Sequence, residues 1–328
     1  MTFRLSLLDK SPLAPGQTGA DALAGTLACA RLADDLGYHR YWLAEHHAIA
    51  GMASAAPEIL ISHILAQTRR IRVGSGGVLL QHYAPYKVAE IFSVLATLGS
   101  DRVDLGVGKS PGALPFATRA LQAELAAGSA AALDRKLAEL EAWLAGDHHD
   151  AAISPRPAIA PQRFLLGASV ESARQAAELG WGFVHAGHQQ GDRDTTLKVL
   201  DAYEAIAGRR PMLALAAFAA PSRSEAEERV GALQVVRPVF ADGHVVNLTS
   251  EDAAREYARQ YGSIDYRIER RQATVLAGTA ADVREGLATL SHELGVDEFV
   301  IDQPVADPAA RLRSIELIAA RAPQRAVA

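Results

Sequence analysis

The chain has 328 residues, 49% of them apolar and 22% charged, a composition that excludes disordered, collagen-like and coiled-coil classes and leaves a globular protein able to bury a large core. Thirty-three basic against 38 acidic residues give a net charge of -5, with no basic footprint for nucleic acid, and the lone Cys29 cannot close an internal disulfide. Residues 1–10 lack a secretory leader and no uncharged apolar stretch approaches 18 residues, so neither a membrane partner nor export is expected and the predicted location is the cytoplasm.

In chain order, short apolar runs predict strands near 3–8, 40–44, 71–79, 103–107, 163–167, 182–185, 211–218 and 297–301. Stretches with three- and four-residue apolar spacing predict helices near 18–36, 57–68, 86–99, 130–145, 170–179, 192–207, 279–294 and 308–321. Three of these helices end in a leucine-glycine step, at Gly37, Gly180 and Gly295, where a residue without Cβ can take the left-handed turn that sends the chain back into a strand. Strands such as Leu213 to Phe218 are apolar on both faces, as in a parallel sheet covered by helices. Eight strand–helix units in one chain favour a (β/α)8 barrel, read here as a single domain over 1–328. Residues 108–129 after the fourth strand and 222–277 after the seventh are too long for simple connections, so both read as insertions at the barrel's C-terminal mouth. Within the second, the charged text at 250–257 and 267–271 is expected to form either a lid over 240–272 or a solvated surface helix.

The second strand runs through Trp42-Leu43-Ala44 into Glu45, His46 and His47, which places a carboxylate and two imidazoles at the rim. Histidine titrates near neutral pH, so this group suits acid–base work or cofactor contact. A zinc site would need a third ligand, and the candidates His148 and His149 follow the fourth helix at the barrel's opposite end; no metal is expected. Around the third strand, Gly74, Gly76 and Gly77 flank Ser75, and missing side chains there would allow a flat ring to lie close, or else mark a bulge. The string Gly106-Val107-Gly108-Lys109 fits neither the phosphate-loop nor the dinucleotide spacing, yet Lys109 at the rim can meet a phosphate. The fifth strand ends in Leu166-Gly167-Ala168-Ser169, and Ser169 is a candidate helix cap whose amides could hold an anion.

Together, Trp42 to His47, Arg72 to Val78 with Pro85 and Val88-Ala89-Glu90, Arg102 to Gly108, and Ala277-Gly278-Thr279 resemble the bacterial-luciferase-like flavin monooxygenases, in the branch of small luciferase-like oxidoreductases. The resemblance implies reduced FMN, or in one branch F420, bound by Ser75, Gly76, Gly77, Gly108, Lys109, Leu166, Gly167, Ala168 and Ser169, with a cis peptide at Gly76-Gly77. It implies His46 as base or hydrogen-bond donor, oriented by Glu45 and His47. It also implies dioxygen and a small aldehyde, ketone or secondary metabolite as substrates, a separate NAD(P)H:flavin reductase, and a homodimer through 57–68 and 86–99, helices whose apolar residues exceed one stripe. The luciferase cysteine and acidic residue are replaced by Gly108 and Ala168, which argues against light emission and leaves a non-catalytic flavin-binding protein as a further alternative.

Overall fold

The computed structural model describes residues 3–109, 112–123, 133–146, 152–186 and 193–319. Its first half runs β1 (Arg4–Asp9), α1 (Gly19–Leu36), β2 (Arg40–Leu43), α2 (Pro57–Gln67), β3 (Arg72–Ser75), α3 (Pro85–Gly99), β4 (Val103–Gly108), α4 (Pro115–Leu121) and α5 (Leu133–Ala145). Then follow β5 (Gln162–Gly167), α6 (Val170–Glu178), β6 (Gly182–His185), α7 (Arg193–Ala207), β7 (Met212–Ala219) and α8 (Arg223–Val230). The last part is β8 (Gln234–Phe240), α9 (Glu251–Tyr261), β9 (Tyr266–Gln272), β10 (Leu276–Gly278), α10 (Ala280–Leu294), β11 (Glu298–Asp302) and α11 (Pro308–Ala319).

The strands β1 to β7 and β11 pair in parallel in that order, and β11 returns to β1, closing the predicted eight-stranded barrel. Gly37, Gly180 and Gly295 are left-handed, with φ of 79°, 68° and 69°, as the helix–glycine–strand repeat requires. Helices α1 and α10 open on reciprocal caps, Thr18 with Asp21 and Thr279 with Asp282, each satisfying amides at a helix start.

Inside the barrel, Leu8, Trp42, Ala44, Phe164, Val184, Met212, Ala214 and Val300 form an apolar layer. Beneath it Arg40 bonds Asp104 at 2.8 Å and Glu298 at 2.8 Å, Arg72 bonds Asp104 at 2.7 Å, and Trp42 Nε1 donates to Asp104 at 2.9 Å. These paired charges fill the N-terminal end of the barrel interior. The larger core lies between strands and helices. There Cys29 is buried, and burial pushes its thiol up to about 12, so it stays protonated.

Two expectations change. The third strand ends at Ser75, not 79: Gly76-Gly77 is a cis peptide, Val78 makes one isolated bridge to Val107, and Leu80–His82 is a 3₁₀ turn. The second insertion is built as an antiparallel β8–β9 pair with α9 packed on it; the charged text at 267–271 is therefore strand, and 250–257 is the capped start of α9. A short β10 pairs with the outer end of β7, which sequence periodicity did not reveal. His148 and His149 lie outside the described residues.

Candidate active site

Period-two alternation carries the inward face of each strand up to the mouth. Leu8 is followed on that face by Lys10, Trp42 and Ala44 by His46, and Val300 by Asp302. Lys10 Nζ donates to Asp302, tying the ends of the first and eighth barrel strands together. The loops after β1 and β2 also pair, with Pro12 bridging Met52 and the Ala53 amide donating to the Ser11 carbonyl at 2.9 Å.

His46 sits in this frame, half-buried. Its backbone amide donates to the Ser54 carbonyl at 2.9 Å, and its Nδ1 lies 3.4 Å from Ser54 Oγ. Burial, and next the charge of Lys10, push its pKa down to about 4, against a smaller upward pull from Asp302. The ring is therefore neutral near pH 7, and because Nδ1 faces Ser54, Nε2 is the atom left to exchange a proton.

Glu45 and His47 turn to the other side of the strand and do not hold the His46 ring. His47 Nε2 donates to Glu45 Oε1 at 2.6 Å, Tyr83 Oη donates to the same oxygen at 2.6 Å, and the Leu79 amide donates to Oε2 at 3.0 Å. The His47 backbone accepts from Leu114 and donates to Gly112, and His82 stands edge-on to its ring at 6.1 Å. This carboxylate binds the end of the second strand to the turn after Gly76-Gly77, while the His47 backbone ties it to the first insertion. The side chain within hydrogen-bond reach of the His46 ring is that of Ser54, while Glu45 and His47 bond to each other.

The glycines of the third and fourth strands serve the barrel wall itself. A Cβ on Gly76 would come within 2.7 Å of Leu8 Cδ1, and one on Gly77 within 2.7 Å of the Val107 carbonyl carbon; on Gly74 and Gly106 it would overlap backbone carbonyls. Ser75 Oγ donates to the Gly106 carbonyl and accepts from the Gly106 amide, so its hydroxyl is committed there. At Gly74, Gly77 and Gly106 the missing side chains permit close approach of the third and fourth strands, and at Gly76 the missing side chain makes room for Leu8 and Trp42 of the barrel interior. Gly108 differs: its Cβ would meet nothing nearer than 3.7 Å.

Lys109, at the end of β4, makes a loose 4.0 Å contact with Asp134, whose carboxylate accepts from Gln175 of α6. Ser169 caps α6, accepting from the Ser172 amide at 3.1 Å, and is exposed. Leu166, Gly167 and Ala168 are half-buried before it. Sequence reasoning missed Lys10, Ser54, Tyr83 and Asp302; Lys10 and Asp302 carried the same signal as His46, a polar residue just past an apolar strand. It also missed two buried groups with no hydrogen-bond partner, the His185 ring at the end of β6 and the Gln303 carboxamide after β11. Among the described residues, no group of three or more His, Cys, Asp or Glu is placed to hold a metal, and no helix is long and apolar enough to cross a membrane.

The family model described as Luciferase-like monooxygenase matches residues 1–298. The N-acetyl-S-alkylcysteine monooxygenase of Bacillus subtilis (strain 168) is 39% identical over 326 residues, covering 96% of this chain and 97% of that protein. The solved structure of apo-MsnO8 superposes with a TM-score of 0.76 at 33% identity, over 97% of each chain. At 20% identity and a TM-score of 0.69, the oxygenating constituent of 3,6-diketocamphane monooxygenase of Pseudomonas putida, solved with FMN, shares the fold over 97% of each chain. The chain belongs to the luciferase-like monooxygenase family.

Proposed function

We propose that this protein is a monooxygenase that uses reduced FMN and dioxygen to oxidise a small organic substrate. The observation that carries the reading is His46, a neutral, half-buried imidazole at the barrel mouth with Nε2 uncommitted. The residues present fit the cofactor. Lys109 is loosely paired, and the capped start of α6 offers backbone amides and a favourable dipole, so these two would hold the phosphate. The open face at Gly108 and the inward edge of His46 would receive the ring. Bound reduced flavin supplies the electrons that activate dioxygen. The protein's own residues then exclude water through the two insertions, and His46 holds or moves a proton at Nε2.

The Bacillus relative makes a small S-alkylated N-acyl amino acid the first substrate class to test, ahead of an aldehyde or ketone. A separate NAD(P)H:flavin reductase would supply reduced FMN. We also place a homodimer contact on α2 and α3, where Ile59 and Leu98 are 66% and 68% exposed beside a groove of about 880 Å³. The deciding experiment mixes protein and reduced FMN with isotopically labelled dioxygen and candidate thioethers, aldehydes and ketones. One labelled oxygen atom in the product is expected. Turnover with reduced F420 that ignores oxygen would replace this reading, and tight FMN binding without any turnover would favour a binding protein.

A further inference from the structure

We propose that Lys10 and Asp302 are a matched charge pair that governs when His46 takes a proton. The three side chains come from the ends of adjacent barrel strands and share the inward face above Leu8, Trp42 and Val300. The pair is direct, from Lys10 Nζ to Asp302 Oδ2, with Asp302 buried and Lys10 half-buried. The charged and titratable groups acting on His46 are Lys10 from beyond β1, Asp302 from β11 and His47 from its own loop, while the Ser54 hydroxyl faces Nδ1.

Charges on the same inward face as a half-buried ring are less well screened than charges in open water. While both are present Asp302 offsets part of the Lys10 field at His46, and burial keeps the imidazole neutral. Removing the cation leaves a buried carboxylate that favours imidazolium. Removing the carboxylate leaves an ammonium that opposes it. The two deletions must therefore move His46 in opposite directions, whereas simple loosening of the site would let both variants drift up toward the ordinary histidine value. Lys10 and Asp302 act through His46 under this proposal. It builds on the reading of His46 as the proton-handling group, yet its test needs neither cofactor nor turnover, so it can fail while the flavin reading stands, or stand while that reading fails.

The test is histidine titration by NMR on the full, cofactor-free chain, with the His46 signal assigned through His46→Gln. Lys10→Met is expected to raise the His46 pKa by about one unit or more, Asp302→Asn to lower it below the wild-type position, and the double variant to bring it back near wild type. Lys10→Arg should restore the wild-type value. An unchanged His46 in Lys10→Met, or an upward shift in both single variants, overturns the proposal. Should Lys10→Met fail to fold, Lys10→Gln is read against the same criteria.

Discussion

The carboxylate of Glu45 accepts the backbone amide of Leu79 at 3.0 Å while its other oxygen takes His47 and Tyr83. One buried side chain thus joins the second strand to the turn that follows Gly76-Gly77. Glu45→Gln keeps the shape but loses the charge that strengthens all three bonds. Hydrogen bonds to a charged group are worth roughly 1.5–3 kcal/mol each, and partial replacement by the amide makes a loss of about 2–4 kcal/mol the expected outcome. Urea denaturation reads it. A variant as stable as wild type would show that this cluster is not a structural latch.

The glycines separate packing from binding. Gly77→Ala drives a methyl group to 2.7 Å from the Val107 carbonyl carbon and 2.8 Å from the Gly108 amide, backbone atoms that cannot step aside. It should cost about 3 kcal/mol or more, or prevent folding. Gly108→Ala meets only ordinary contact at 3.7 Å and should change stability by less than about 1 kcal/mol while weakening reduced FMN binding. Thermal melts and an anaerobic titration check the pair. Equal melting temperatures for the two variants would contradict the wall geometry.

These glycines also mark how far the sequence could be read. The eight strands, their order and the rim position of His46 follow from local rules, because periodicity and a glycine after a helix act within a few residues. The premature end of the third strand at Ser75 depends on Gly106 and Val107 of its neighbour, about 30 residues away, which no window along the chain contains. The partner of His46 is equally remote from pattern: Ser54 reaches it because the loop folds back on the one after β1. Glu45 and His47 are neighbours of His46 in sequence, yet the alternation of an extended chain sends them to the opposite side.

Acid should destabilise the fold through two buried histidines. His46 and His185 each have a folded pKa near 4, set first by burial, against 6.5 for an ordinary histidine. The unfolded chain therefore takes protons first. Neither residue affects stability well above pH 6.5, and stability falls as the pH drops from about 6.5 to about 4. A shift of this size corresponds to at most about 3.5 kcal/mol per residue, less for a ring that water partly reaches. The His185 ring nitrogens have no hydrogen-bond partner, so His185→Leu should cost little at pH 8 and flatten the fall. Urea denaturation at pH 8 and pH 5 compares them; identical pH dependence in variant and wild type would refute the assignment.

The two insertions touch. The Phe116 amide at the start of α4 donates to Gln260 Oε1 at 3.0 Å, and the Phe116 ring lies under the guanidinium groups of Arg119 and Arg259, at 4.4 and 5.4 Å. Gln260→Ala removes this side-chain bond and leaves the long 3.5 Å contact of Arg119 with the Gln260 backbone carbonyl and the Arg259 guanidinium over the Phe116 ring. Amide hydrogen exchange in residues 115–121 and 251–261 should then rise together by about fivefold, the effect of roughly 1 kcal/mol, with the barrel strands unchanged. A rise confined to α9 would mean that the insertions open independently.

The outer face of α2 and α3 has a stability argument of its own. Ile59, Val94 and Leu98 are 66%, 41% and 68% exposed and line one groove with Ile91 and Leu95, an apolar surface that water wets at a cost proportional to its area. A second copy of the chain would cover it. Leu98→Glu puts a charge into that contact and, the residue being exposed, should leave the folded monomer within about 0.5 kcal/mol of wild type. Sedimentation of the wild-type chain is expected to give a dimer, and of Leu98→Glu a monomer that melts earlier at equal chain concentration. A wild-type chain that sediments as a monomer at tens of micromolar would assign this groove to something other than self-association.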